Sequence, residues 1–327
     1  MMKENLLENF QNDEVVYMDP RVLGIGSAHV DVFIRVDEEA FEIYALPESR
    51  HIERDVFDLM LDLGEKVLPG GCAANTIRGL AHLGVPCAFL SCVGKDRAGR
   101  FFLENLKELG IHSEVEVVPG FKTIQLICLI GPTGEKRILY PKQEEPKIEF
   151  KKEHFEGIDW VHIDAFQFEI GNDLGKIPEG PKISLNLGNV EIVREYKQKI
   201  LRFSEDHVDV LFGNEEEVKE LTGLAAEEAC LELQTKCPLV VMTREAKGCL
   251  IASGGKLLEV SGQKAKRVDA TGAGDAFASG FIFGMLRRES LQRCGSFGNR
   301  LGAAIVEEIG AQLPEKKSAQ LLSEFQE

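Results

Sequence analysis

The sequence predicts an α/β chain: a doubly wound, mostly parallel sheet flanked by helices, with a small β-sheet lid. Three observations predict it. Apolar strands near 159–163, 183–187, 208–212 and 238–242 alternate with helical stretches near 191–203, 215–221 and 225–236. Such alternation makes parallel strands joined by crossover helices. Residues 111–140 change character, becoming strand-rich with glycine and proline breaks, as an antiparallel β unit laid over the main body would. Finally, 327 residues at 44% hydrophobic and 28% charged suffice for one large core. Nothing resembles an interdomain linker, so residues 21–320 read as one domain after an extension over 1–20, with lid strands from about 30–69 and 112–143.

In chain order, Val22 to Gly26 is a short apolar strand and Val30 to Val36 alternates as a half-exposed strand does. Phe41 to Gly64 is charge-rich with helical spacing and reads as an insertion. Ala73 to Leu83 is helical and ends at Gly84 and Pro86; Cys87 to Val93 is a buried strand, and Ala98 to Leu109 an amphipathic helix stopped by Gly110. Within the β unit, segments near 115–118, 122–130 and 136–140 are separated by Gly120 and a Pro-Thr-Gly turn at 132–134. Gly248 to Ala252 and Lys256 to Val260 suggest a hairpin, Ala265 to Val268 a short polar strand. Helices are expected over 275–287 and about 290–308.

The formal net charge of −16 argues against a nucleic-acid or anionic-membrane partner. It leaves room for an anionic ligand, because local N–H groups and Mg²⁺ bind phosphate inside acidic proteins. The eight cysteines form no C-x-x-C pair and sit mostly in apolar runs, as buried free thiols in a reducing compartment do. Residues 1–14 lack an apolar signal-peptide core, and no apolar run approaches a membrane span. A cytoplasmic location is expected.

Residues 269–275, Asp-Ala-Thr-Gly-Ala-Gly-Asp, precede an apolar run that reads as a buried helix. A helix starting after Gly272 and Gly274 aims unpaired N–H groups and its positive dipole end at one spot, a site for phosphate. Asp275 in the first turn suits a base that takes the proton of a hydroxyl attacking phosphorus. The same residues also serve as a capped helix start with a tight turn.

Gly70-Gly71-Cys72-Ala73-Ala74-Asn75-Thr76 lets a ligand approach the backbone, with Asn75 placed to bond a polyol; it also reads as a turn that packs small residues. Asp31 near a strand end can accept bonds from adjacent sugar hydroxyls, or be a solvated turn residue. Asn214 and Glu217 open a helix; they are a natural cap, and equally hard oxygen ligands for Mg²⁺ beside a triphosphate. Thr243 and Gly248 border a strand end where a nucleotide can lie, or mark a plain strand-to-turn boundary. Gly24-Ile25-Gly26 invites a dinucleotide reading, but His29 stands where the third glycine belongs. A Walker-type loop, histidine metal spacing and a G-x-S-x-G motif are absent.

These motifs in this order resemble the ribokinase (PfkB) family of sugar and nucleoside kinases over about residues 21–314. The carriers are Gly70 to Thr76, Val93-Gly94-Lys-Asp96-Arg-Ala-Gly99, Asn214 to Glu217 and Asp269 to Asp275. The resemblance implies a ribokinase-like fold and an ATP- and Mg²⁺-dependent phosphotransferase acting on a small sugar or nucleoside, with an alternative role as a catalytically silent binding protein. It implies Asp275 as catalytic base and Gly272, Ala273 and Gly274 as anion hole. Asp31, Gly70, Gly71 and Asn75 would contact the acceptor; Asn214, Thr243, Gly248 and Asn299 the nucleotide; Glu217 the metal. The β unit would be a lid that excludes water, and lids of this family often pair into homodimers.

Two departures stand out, set against one likeness to adenosine kinases. Thr243-Arg244-Glu245 replaces the family's Thr-x-Gly, which bears on nucleotide preference. Ser27 stands where adenosine kinases usually have Asn. Asp31 follows Gly26 at an adenosine-kinase-like spacing, and Phe166 and Phe168 are candidates to stack on a base.

Overall fold

The computed structural model describes residues 21–43, 49–132 and 135–326. The expected extension over 1–20, part of the insertion (44–48) and the turn tip at 133–134 lie outside the described residues.

The first half contains β1 (Val22–Ile25), β2 (His29–Arg35), α1 (Glu38–Ile43), β3 (Ser49–His51), α2 (Arg54–Leu61), β4 (Lys66–Gly70) and α3 (Cys72–His82). It continues through β5 (Cys87–Gly94), α4 (Arg97–Glu108), β6 (His112–Val118), β7 (Ile124–Ile130) and β8 (Lys136–Tyr140). Next come β9 (Trp160–Asp164), α5 (Phe166–Ile170), β10 (Lys182–Asn186), α6 (Val190–His207), β11 (Val210–Asn214) and α7 (Glu215–Thr222). The chain ends with α8 (Ala226–Leu233), β12 (Leu239–Thr243), β13 (Gly248–Ser253), β14 (Lys256–Ser261), α9 (Ala273–Leu286), α10 (Leu291–Ile305) and α11 (Glu315–Gln326).

Nine strands form the main sheet in the order β14-β13-β12-β11-β10-β9-β1-β5-β6. Pairing is parallel from β12 through β6, while β13 and β14 add an antiparallel hairpin at one edge. From β1 the chain winds outward through β5 and β6, then returns beside β1 with β9 and winds the other way. The strand order therefore reverses next to β1, and ligands of open α/β sheets bind outside the carboxyl ends of strands at such a point.

Apolar helix faces cover both sides of the sheet. On one face Ile77 of α3, Phe102 of α4, Phe281 of α9 and Phe297 of α10 share a core with Phe89 and Phe212. On the other, Ile192 and Ile200 of α6, Val218 of α7 and Ala229 of α8 pack on Leu185, Leu211 and Val240. Helix α9 is buried nearly all round because Phe277, Ala278, Phe281 and Ile282 leave it no polar face.

The lid is a separate five-stranded sheet, ordered β3-β8-β7-β2-β4, with its own core of Ile34, Phe41, Phe57, Ile127, Leu129 and Leu139. It is mixed rather than antiparallel, since β2 runs parallel to β7 and β3 parallel to β8. Strand β6, expected in the lid, instead extends the main sheet parallel to β5. Strand β2 is buried from Val30 to Ile34 rather than half-exposed, because the insertion's helices cover Ile34 while the segment at Gly310 lies against Phe33 on the other face. Residues 265–268 are not a strand; Val268 and Asp269 donate their N–H groups to the Val306 carbonyl. The unexpected α11 seats Phe325 on Phe297, ring centroids 4.3 Å apart.

Candidate active site

Carboxyl ends of neighbouring parallel strands deliver polar residues to one edge of the sheet. Asp164 ends β9, Asn186 ends β10 in register with it, and Asn214 and Thr243 end β11 and β12 in register with each other. The N-terminus of α9 faces this row.

The α9 entrance needs its glycines for different reasons. Gly272 caps the helix at φ 73°, and a Cβ there would lie 2.3 Å from Ala311 Cβ. At Gly274 a Cβ would meet no heavy atom within 4 Å, so this side of the turn has room for a ligand. Asp269 braces the loop: Oδ1 accepts from Thr271 N (2.9 Å) and Thr271 Oγ1 (2.6 Å), and Oδ2 from Gly310 N (2.9 Å). Lys136 of lid strand β8 donates to Thr271 Oγ1 at 2.5 Å.

Asp275 is buried in the first turn. Asn75 Nδ2 donates to its Oδ2 (3.0 Å) and Asn186 Nδ2 to its Oδ1 (3.2 Å), while Thr76 Oγ1 donates to its backbone carbonyl (3.3 Å). Burial pushes its carboxyl up to about 7; the Asn75 bond and Arg78 pull it down, and Asp164 and Glu217 add to the rise. A carboxyl in that range suits a general base.

The side formed by Asp31 and the Gly70-Gly71 pair is equally compact. Asp31 on β2 lies against the glycine pair: a Cβ on Gly70 would sit 2.6 Å from Asp31 Oδ2. Its buried Oδ1 has no hydrogen-bond partner among the described residues, and burial raises its carboxyl. Gly71 turns at φ 104° with Ser27 O where a Cβ would be, 2.3 Å away. Ser27 Oγ donates to Glu145 Oε1 (2.9 Å), and burial pushes that carboxyl up to about 7. Asp164 Oδ2 accepts from Ala73 N at 3.2 Å, and its carboxyl is raised by burial to about 6.

Asn214 and Glu217 form a capping box: Glu217 N donates to Asn214 Oδ1 and Asn214 N to Glu217 Oε2, both at 2.8 Å. Glu217 is buried, and burial pushes its carboxyl up to about 7. Gly248 (φ 99°) packs against the end of β14, where a Cβ would lie 2.1 Å from Val260 O. Asn299 Nδ2 donates to Val260 O and Ser261 O, each at 3.1 Å, so its amide holds that same strand end. Glu245 adopts φ 49°, the left-handed backbone that glycine supplies most easily.

Asp31, Gly70, Gly71, Asn75 and Gly272 to Asp275 thus meet around one point, with Asn214, Glu217 and Thr243 along the same edge. Gly248 and Asn299 meet each other at β14. Phe168 is a core residue, 5.7 Å from Phe203 between centroids, and does not offer a stacking face; Phe166 is partly exposed near Cys72. Sequence reading passed over Asp164, Asn186, Arg78, Lys136 and Glu145. The signal for the first two was a polar residue closing an apolar strand.

The profile of a family described as pfkB family carbohydrate kinase matches residues 64–318. An uncharacterized sugar kinase of Archaeoglobus fulgidus is 25% identical over 72% of this chain and 96% of its own length. An adenosine kinase of Saccharomyces cerevisiae is 26% identical over 90% of this chain and 96% of its own. Among solved structures, a probable sugar kinase from Rhizobium etli superposes with a TM-score of 0.83 at 22% identity, covering 93% of this chain and 98% of its own. Adenosine kinase from Schistosoma mansoni in complex with 2-fluoroadenosine gives 0.80 at 17%, covering 93% and 100%.

Proposed function

The chain belongs to the pfkB family of carbohydrate kinases, and from that premise we propose that it moves the γ-phosphoryl group of ATP to a hydroxymethyl oxygen of a small neutral sugar. The observation that carries the reading is Asp275: a buried carboxyl near 7, held by two amide donors at the opening of α9. As the acceptor oxygen bonds to phosphorus and the bridging P–O bond to ADP breaks, Asp275 takes the hydroxyl proton. The N–H groups of Gly272, Ala273 and Gly274 stabilise charge on the transferring oxygens. The unpartnered Oδ1 of Asp31 accepts a ring hydroxyl, and Gly70 and Gly71 let the sugar reach the backbone.

The donor set fits Mg²⁺ rather than a caged metal. Among the described residues no group of three or more His, Cys, Asp or Glu is placed to hold an ion. Mg²⁺ takes one or two carboxylates and completes its shell with phosphates and water. Glu217 would hold it, with Asn214 alongside; bound Mg·ATP supplies the phosphoryl group and offsets its charge. Thr243, Gly248 and Asn299 border the nucleotide. The partly exposed Phe166 supports a second reading, a nucleoside acceptor with the base stacked there.

ADP release measured over D-ribose, D-fructose, adenosine and cytidine tests both readings. Asp275→Asn is expected to lose about 10³-fold or more in turnover on the accepted substrate while still binding it. The parent should lose activity below about pH 7, where the base becomes protonated. Near-parental turnover by Asp275→Asn sinks the assignment.

A further inference from the structure

Arg78 has the largest fully buried side chain among the described residues, and it lies behind the acceptor loop rather than on a surface. Nε donates to Asn105 Oδ1 (2.8 Å), Nη1 to Asn75 Oδ1 (2.9 Å), and both Nη1 and Nη2 reach Gly70 O (3.3 and 3.4 Å). The guanidinium stacks 4.9 Å from the Phe102 ring centroid. Burial of an arginine requires such saturation, and here two of its three acceptor residues, Asn75 and Gly70, belong to the site itself.

The consequence is a choice of amide orientation. A guanidinium only donates, so Asn75 must present Oδ1 to Arg78 and therefore Nδ2 to Asp275. Without Arg78 the amide is free to flip and set its oxygen against the carboxylate. We propose that Arg78 is a positioning residue for phosphoryl transfer: it locks Asn75 in the orientation that donates to Asp275 and clamps the Gly70 carbonyl of the acceptor loop to the same point. The inference rests on Asp275 being the base.

The groups facing Asp275 are Cys72 and Arg78 of α3, Asp164 of β9 and Glu217 of α7. Of these four Arg78 alone is a cation, so it opposes two neighbouring acids. A cavity of about 20 Å³ against Asn75, Arg78 and Gly79 has room for one water, so a shorter side chain there can be hydrated.

The test titrates Asp275 directly, in full-length protein labelled with ¹³C at aspartate Cγ, without nucleotide or divalent metal. Asp275→Asn assigns the resonance. Arg78→Met should raise the Asp275 midpoint by about one pH unit, the charge being removed. Arg78→Lys should keep the parental midpoint, yet lower kcat about tenfold or more for ADP release with D-ribose or adenosine, because one ammonium cannot bridge Gly70, Asn75 and Asn105. An unchanged midpoint in Arg78→Met, or a kcat within twofold of the parent in Arg78→Lys, overturns the proposal even if melting temperatures fall. If either variant does not fold, Asn105→Ala, which removes only the Nε acceptor, decides: a severalfold drop in kcat at parental KM supports it and no drop overturns it. If neither acceptor is turned over, the titration decides alone. Parental turnover in Asp275→Asn would instead sink the base assignment, a result separable from all of these.

Discussion

Gly71 is a position where backbone geometry leaves little choice. Its φ of 104° is open to few residues, and a Cβ would meet Ser27 O at 2.3 Å. Gly71→Ala should therefore destabilise by about 2 kcal/mol or more, read as a fall of several degrees in Tm; a shift within one degree would contradict it. Asp275, Asn75 and the glycines were legible in the sequence because each sits in a local motif whose spacing states its geometry. Asp164, Asn186 and Arg78 were not. The Asn186 and Asn75 amides come from 89 and 200 residues away to meet Asp275, and no local pattern marks such a meeting. Phe168 shows the reverse error: an aromatic near a candidate site reads as a stacking platform, but its environment is the apolar core on Phe203.

Side-chain bonds join lid and body at several points: Lys136 on β8 donates to Thr271 in the loop before α9, Lys66 on β4 to the Ile309 carbonyl, and Arg78 of α3 to the Gly70 carbonyl that ends β4. Since Thr271 is tied to Asp269 and through it to Gly310, the lysine places the lid on the turn that opens α9. Lys136→Met should lower kcat/KM about tenfold while leaving Tm within two degrees, because the contact is partly exposed and lies outside both cores. Parental kcat/KM would show that lid placement does not depend on it. The long, strongly patterned elements were readable, α9 and the β9–β12 series above all. Strand β6 was assigned to the lid because residues 111–140 are strand-rich and broken by turn residues; none of its seven residues is fully buried, as its place at the edge of the main sheet, beside β5, requires. The segment 265–268 reads as a strand by composition, but its N–H groups find the Val306 carbonyl instead of a neighbouring strand.

Across the whole molecule, burial of acids at one edge of the sheet shapes the response to pH. Glu145 and Asp275 are both pushed up to about 7. Burial lowers His29, His82 and His162 from 6.5, so near that value they oppose the acids, the unfolded chain holding protons there that the fold does not, and this opposition fades as pH rises. From about pH 6.5 to 8 the fold still holds protons that the unfolded chain has lost, so stability falls as pH rises. Tm in EDTA should drop by several degrees over that window, and less in a Glu145→Gln, Asp275→Asn double variant; a flat or rising parental Tm would refute it. Membership of the kinase family, the alternating α/β plan and the glycine turn that opens α9 could all be read from the chain, because short-range spacing and hydrophobic period carry them. Free, mostly buried cysteines were legible for the same reason: all eight are unpaired, and Cys72 alone is partly exposed. Only tertiary structure decided which strands make the lid, that Asn75 and Asn186 both donate to Asp275, and that a buried arginine holds the Asn75 amide. Those outcomes depend on which distant segments share one sheet edge, and desolvation there sets both the pairing of polar groups and their proton affinity.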